Sequence, residues 1–292
     1  MWQAIRDNWK RFGMTERLIA VNVAVFVIIF TVGGIGSLFK ITALTDLALS
    51  SFYLSVDTRI SNLILKPWSI ITHMFVHAGI MHLLFNMLML YFIGRMFSGL
   101  FGSKKLLSTY LMGGIAGFLF LFIVSLIFPS VGGPAVGASA AVMAIFIAMA
   151  TYTPDMEVRL MFFGAIKLKW LALIYILLDY LSLGGGNTGG HLAHLGGALY
   201  GFLLMIQMRK GRDLNSPMEK ALNRISTWLK PGKMRVVKKP GNQRPVSDDD
   251  FNSKKIARQK RVDAILDKIS RGGYDSLSRD EKEFLAKYGK DI

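Results

Sequence analysis

Gly132-Gly133-Pro134-Ala135-Val136-Gly137-Ala138-Ser139-Ala140-Ala141 is a glycine-rich turn that runs straight into an apolar helix carrying one serine. Burying that hydroxyl unpaired costs about 1–3 kcal/mol on the protein mutational scale, so Ser139 is either satisfied locally or does chemistry. The helix from Ala138 to Tyr152 spans only about 22 Å at 1.5 Å per residue. A bilayer's hydrocarbon core is about 30 Å thick. If the inner end of this helix reaches one membrane face, its start is sunk below the other. A non-helical loop at that depth is tolerated only against protein or a water-filled cavity. Ser139 is therefore expected at the floor of a wet pocket.

The whole chain supports a membrane setting. Of 292 residues 52% are hydrophobic, and the mean hydropathy is +0.40, yet the formal charge is +16. The two properties separate along the sequence. Apolar runs dominate from Leu18 to Met208, whereas residues 209–292 hold 22 Lys/Arg against 12 Asp/Glu. That is a membrane domain followed by a basic tail. There is no cysteine, which excludes disulfides, thiolate nucleophiles and cysteine-based zinc sites. No P-loop, no G-x-G-x-x-G after a strand and no H-E-x-x-H occurs.

Read outward from Ser139, apolar runs fall at about 18–39, 81–98, 106–128, 137–152, 168–183 and 191–208. The expected fold is all-α, a polytopic membrane bundle of six transmembrane helices over residues 18–208. Residues 1–17, with Trp2, Arg6, Lys10 and Arg11, read as an interfacial segment. The first run lacks a cleavage site and is taken as a retained span. Residues 40–72 fit no span and are expected to fold against the bilayer interface. With the N-terminus inside, the inner segments before the tail hold ten Lys/Arg and the outer loops three. Both termini are thus expected in the cytoplasm.

Residues 209–250 are expected to form a basic amphipathic segment, with Met218, Leu222, Ile225, Trp228 and Leu229 at helical spacing, and then a flexible linker from Lys230 to Asp250. Residues 251–292 read as a small helical hairpin broken at Gly272-Gly273. Its second helix opens with the capping box Ser278-x-x-Glu281. Ile265, Leu266, Ile269, Leu277, Phe284 and Leu285 are its expected core. The tail's charge implies attraction to anionic inner-leaflet lipid; nucleic acid is not expected as a partner.

All five histidines lie at or just before the outer ends of the second and sixth spans. Ser139 sits in the first turn of its helix, where unpaired N–H groups carry partial positive charge. The alternative is a serine that only caps or packs. His194 stands in Ala193-His194-Leu195-Gly196-Gly197, with Gly197 and Gly201 on its face. Those glycines let another helix approach closely, and Ala140, Ala144 and Ala148 offer the matching face. Two spans so packed bring a serine and a histidine within reach, as a general base requires. A packing histidine bonded to a carbonyl is the bland alternative. His82 and Asn86, four apart, share a helical face and suit an oxyanion or a helix–helix hydrogen bond. His73 and His77 read as structural. Asp179 is the one acid within a span. It either orients a histidine such as His191 or reaches water at the outer interface, and water is expected.

Together these residues resemble the rhomboid family of intramembrane serine proteases over roughly residues 15–210. The matching pieces are Trp68 to Asn86, containing H-A-G-I-M-H-L-L-F-N, then G-A-S-A at 137–140, and A-H-L-G-G-A-L-Y-G at 193–201. The resemblance implies that Ser139 is the nucleophile and His194 its base, a dyad without a third acid. It implies that His82, Asn86 and the Ser139 N–H stabilise an oxyanion beside Gly137, and that His77 fills a buried supporting position. It also implies transmembrane protein substrates, no metal or cofactor, and a bacterial inner membrane for a chain with such a tail. Ala140 replaces a common glycine, and an acid common near Phe97-Ser98-Gly99 is missing. Met143 replaces an aromatic that often stacks on the histidine, so a looser His194 is expected. The rivals are a non-catalytic rhomboid-like protein that binds or escorts transmembrane helices, and a metal-dependent enzyme or transporter using the histidines.

Overall fold

The computed structural model describes residues 12–40, 53–160, 164–229 and 248–288. The interfacial start with Trp2, Arg6, Lys10 and Arg11, and most of the linker expected from Lys230 to Asp250, lie outside those residues. Met1–Lys230 and Pro231–Ile292 are separate compact units.

In the first unit six apolar helices stand at the six expected places. They are α1 Met14–Leu38, α2 Ile80–Phe101, α3 Ser103–Ile127, α4 Ser139–Tyr152, α5 Leu168–Leu181 and α6 Thr188–Arg209. Helices α1, α2, α3 and α6 are long and apolar enough to cross a membrane. Helices α4 and α5 have 14 residues each, about 21 Å at 1.5 Å per residue. In α4 every residue from Ala140 to Ala150 is buried. A helix apolar on all sides belongs inside a bundle, and α4 packs most extensively against α6 and α3, then α2 and α5.

The packing is backbone against backbone. A Cβ on Gly197 would lie 2.2 Å from the Ala140 carbonyl oxygen, and one on Gly201 would lie 2.1 Å from that of Ala144. From the other side, Gly113 and Gly117 of α3 leave room for the Cβ atoms of Ala144 and Ala140, which a glycine Cβ would meet at 2.4 and 2.5 Å. Helix α1 is tied in by buried Tyr110, whose hydroxyl donates to the Met74 carbonyl at 2.9 Å and accepts from Asn22 Nδ2 at 3.2 Å.

The chain is mostly helical, as expected, and among the described residues two short antiparallel ladders accompany the helices, β1 Val56–Asp57 with β2 Pro134–Ala135, and β3 Glu157–Leu160 with β4 Gly164–Lys167. In β3, Val158 packs on the core while Glu157 and Arg159 are exposed, the period-two pattern of a strand. Over four residues that pattern does not stand out from a loop. The first ladder pins the glycine-rich turn. Gly133 N–H donates to Thr58 Oγ1 at 2.8 Å, and buried Asp57 takes a forked pair of hydrogen bonds from Arg59, Nε to Oδ1 at 3.1 Å and Nη2 to Oδ2 at 2.6 Å. That guanidinium, opposed by burial and joined by the Arg59 N–H and Asn62, holds the Asp57 carboxyl down at about 2.

After α6 the chain forms α7, Ser216–Leu229, docked on α3. Lys105 pairs with Asp213 and Glu219, and Asn215 donates to Thr109 Oγ1 at 2.8 Å. Met218 and Leu222 pack against the core, whereas Ile225 and Trp228 are exposed. The second unit contains α8 Asp248–Gly272 and α9 Arg279–Tyr288. Its capping box closes in both directions, Ser278 N–H to Glu281 Oε2 at 2.7 Å and Glu281 N–H to Ser278 Oγ at 3.3 Å. Val262, Ile265 and Leu277 are buried there, while Leu266, expected in that core, is exposed.

Two expectations follow for stability. Gly201→Ala forces a methyl onto a carbonyl and should cost about 1–3 kcal/mol or more. Gly34→Ala, with nothing within 4 Å, should be neutral or slightly stabilising; thermal unfolding in detergent compares them. Burial holds His73 and His77, which precede α2, down at about 4, with the charge of His82 adding to the effect on His77. Unfolded, each titrates near 6.5, so the unfolded chain binds more protons between those values. Stability should then be greatest above about pH 6.5 and fall as pH drops toward 4. An unfolding midpoint flat across that window would contradict this.

Candidate active site

The glycine-rich turn meets α4 at Gly137, where φ is +126°, a conformation that side chains disfavour. A Cβ there would also lie 2.7 Å from His82 Cε1 and 2.9 Å from His82 Nε2. Its N–H donates to the His73 carbonyl at 2.9 Å. Ser139 is the first residue of α4 and half-buried, so the N–H groups of the first turn open toward the space beside it.

His194 comes from α6. The glycine contacts that seat α6 on α4 set its height, since Gly197 lies one turn further on and faces the residue after Ser139. Gly117 of α3 completes the junction, because a Cβ on it would meet both the Ala140 Cβ at 2.5 Å and the Ala193 carbonyl oxygen at 2.6 Å. These are the neighbours of Ser139 and His194. The Gly113-x-x-x-Gly117 spacing was the available signal for this role.

On α2, Asn86 is buried and spends one N–H on the His82 carbonyl at 2.7 Å. His82 is half-buried, and the ring of buried His77 stands edge-on to it with centroids 5.2 Å apart. Met143 is buried.

Asp179 departs from expectation. It is 4% exposed and does not reach water. Its Oδ1 lies 2.9 Å from His194 Nδ1 and 2.6 Å from His191 Nδ1, while Oδ2 is buried without a partner. The resemblance implied no acid beside the histidine, yet one stands there. The signal was on the page as His191 and His194, three apart on one helical face, with an acid at the end of the preceding span. Ligand atoms of Asp179, His191 and His194 lie within 4.8 Å of one another, a donor set zinc accepts. The two hydrogen bonds already account for that closeness.

Ser139, His82 and His194 line two cavities together. One, of about 400 Å³, is walled mainly by apolar groups including Phe85, Met89, Val142, Met143, Phe146 and Tyr175. The other, of about 660 Å³, runs along the turn from Ser130 to Val136 and the segment from Gly185 to Gly190. Asn86 lines the first only. No direct hydrogen bond joins Ser139 to His194 among the described residues. Chemically the arrangement offers a hydroxyl, an imidazole whose other nitrogen is held by a carboxylate, and donors around one point.

The family model for the Rhomboid domain matches residues 65–211, and residues 247–291 match a family of unknown function (DUF6576). The chain is 29% identical over 230 residues to RHOMBOID-like protein 12, mitochondrial, of Arabidopsis thaliana, covering 71% of this chain and 64% of that protein. It is 34% identical over 140 residues to RHOMBOID-like protein 1 of the same plant, covering 48% of this chain and 34% of that one. It is 30% identical over 136 residues to the rhomboid protease GluP of Bacillus subtilis, covering 46% and 25% respectively. The chain thus spans less than two thirds of the length of each of these relatives. Long apolar helices and a Rhomboid domain make this an integral membrane protein. By its sequence, matched over half its length, the chain belongs to the rhomboid family.

Proposed function

We propose that this protein is an intramembrane serine endopeptidase that hydrolyses peptide bonds in or near the transmembrane segments of membrane proteins. The observation that carries this reading is that Ser139 and His194, from different helices, line the same two cavities. Ser139 Oγ attacks the scissile carbonyl carbon while His194 Nε2 takes its proton. The oxyanion develops toward the Ser139 N–H, His82 and Asn86, where Gly137 leaves the space that a side chain would fill. The proton then passes to the leaving amine, and water frees the acyl group by the same path. One of the matched relatives is named a protease, which supports the same reading.

The second reading is a rhomboid-like protein that binds transmembrane helices without cutting them. The missing direct hydrogen bond between Ser139 and His194 favours it, although such bonds commonly tighten only when substrate is bound. We further propose six spans in a bacterial inner membrane with both termini cytoplasmic. The support is the ten-to-three distribution of Lys/Arg across the two sides. The basic tail and the exposed Ile225 and Trp228 of α7 are proposed to meet anionic lipid.

Ser139→Ala and His194→Ala should each abolish cleavage of a membrane substrate in a folded protein. A fluorophosphonate probe should label the purified protein and fail to label Ser139→Ala. Labelling that survives this substitution, or full cleavage by either variant, would sink the dyad. Removing residues 231–292, a compact unit of its own, should leave cleavage intact and weaken binding to anionic vesicles. Loss of all cleavage would make that unit part of the enzyme.

A further inference from the structure

We propose that Asp179 is a positioning residue for His194, a buried carboxylate that holds the base of the Ser139–His194 pair by its Nδ1. The proposal rests on the reading of Ser139 and His194 as nucleophile and base. Three observations carry it. The carboxylate sits in the last turn of α5, 4% exposed, and its hydrogen-bond partners among the described residues are His191 and His194. Its Oδ1 is 2.9 Å from His194 Nδ1. Met143, a flexible thioether chain, lines the same cavity as His194.

A buried carboxylate is costly unless its hydrogen bonds are met, and here the donors are the two Nδ1–H groups of His191 and His194. The bond to His194 therefore fixes the proton on Nδ1 and leaves the lone pair on Nε2, the nitrogen away from Asp179. It also pins the ring, which stands edge-on to that of His191 with centroids 5.8 Å apart. When Ser139 Oγ bonds to the carbonyl carbon, the carbonyl π pair moves to oxygen and the serine proton moves to Nε2. The resulting imidazolium stands against the Asp179 charge, which is worth far more in a water-poor site than in solvent. Asp179 keeps its own charge throughout. The proton on Nε2 leaves with the amine.

His191 does not line either cavity. Its bond to the same oxygen at 2.6 Å helps to hold the carboxylate in place. The titratable groups facing His194 are Asp179 and Tyr175 on α5, His191 on its own helix and His82 on α2. Helix α3 brings Leu121 and α4 brings Ser139, neither of which titrates in the range tested. Asp179 is the only acid among these groups.

The test compares Asp179→Asn and Asp179→Glu with the unchanged protein in detergent and in vesicles. For Asp179→Asn the cleavage rate constant should fall about 100-fold or more, with KM little changed. Asp179→Glu, which keeps the charge, should recover part of the rate. Independently of turnover, nitrogen-15 spectra of Ser139→Ala should show His194 with its proton on Nδ1, and adding Asp179→Asn should shift it toward Nε2. An unchanged rate and tautomer in Asp179→Asn would overturn the proposal while leaving base and nucleophile standing. Cleavage by His194→Ala would instead remove the reading beneath it. Stoichiometric zinc in the purified protein, lost in Asp179→Asn, would also overturn it, by making the carboxylate a metal ligand.

Discussion

The close approach of α4 to α6, in which glycines of one helix rest on carbonyl oxygens of the other, is the constraint on which the site depends. No side chain larger than hydrogen fits at Gly197 or Gly201 without moving Ala140 or Ala144. A one-turn slip would carry His194 about 5.4 Å away from Ser139 along the helix axis. In a lipid setting there is little hydrophobic force to press helices together, so packing of this kind must supply the association. The same contacts that hold the bundle therefore set the relative height of the two candidate reacting groups. Gly117 extends the arrangement to a third helix, touching the residues beside both.

This explains why so much was legible in advance. Six apolar runs, each bounded by charges or glycine, give the helices directly, because length and hydropathy are local properties. The small-residue faces of α4 and α6 were legible for a similar reason, since spacing along a helix determines which residues share a face. Asp179 was misjudged because its environment depends on a different helix. Nothing local to Leu177-Leu178-Asp179-Tyr180 says that two histidines on α6 will turn their Nδ1 atoms toward it. The ladders were missed on grounds of length, since two to four residues of alternation are not distinguishable from a loop. Leu266 was misplaced because the hairpin core is small and a shift of one turn, to Val262, satisfies the same spacing.

The two cavities meet at Ser139, His82 and His194, and their walls differ. One is lined by Phe85, Met89, Val142, Phe146 and Tyr175, groups that suit an apolar segment. The other is bordered by glycine-rich turns with exposed backbone, which suit water. On the proposed function, hydrolysis inside a membrane requires that a peptide bond from an apolar environment and a water molecule reach the same serine. A short buried helix α4, beginning well inside the bundle, lets both conditions hold at one point. Had α4 been as long as α3, its first turn would stand at the surface, and the first-turn N–H groups would be bonded to bulk water instead of facing a reacting oxygen. The glycine-rich turn that begins at Gly132 is tied to β1 and to Thr58, and on the proposed function that tie keeps the start of α4, and with it Ser139, between the two cavities.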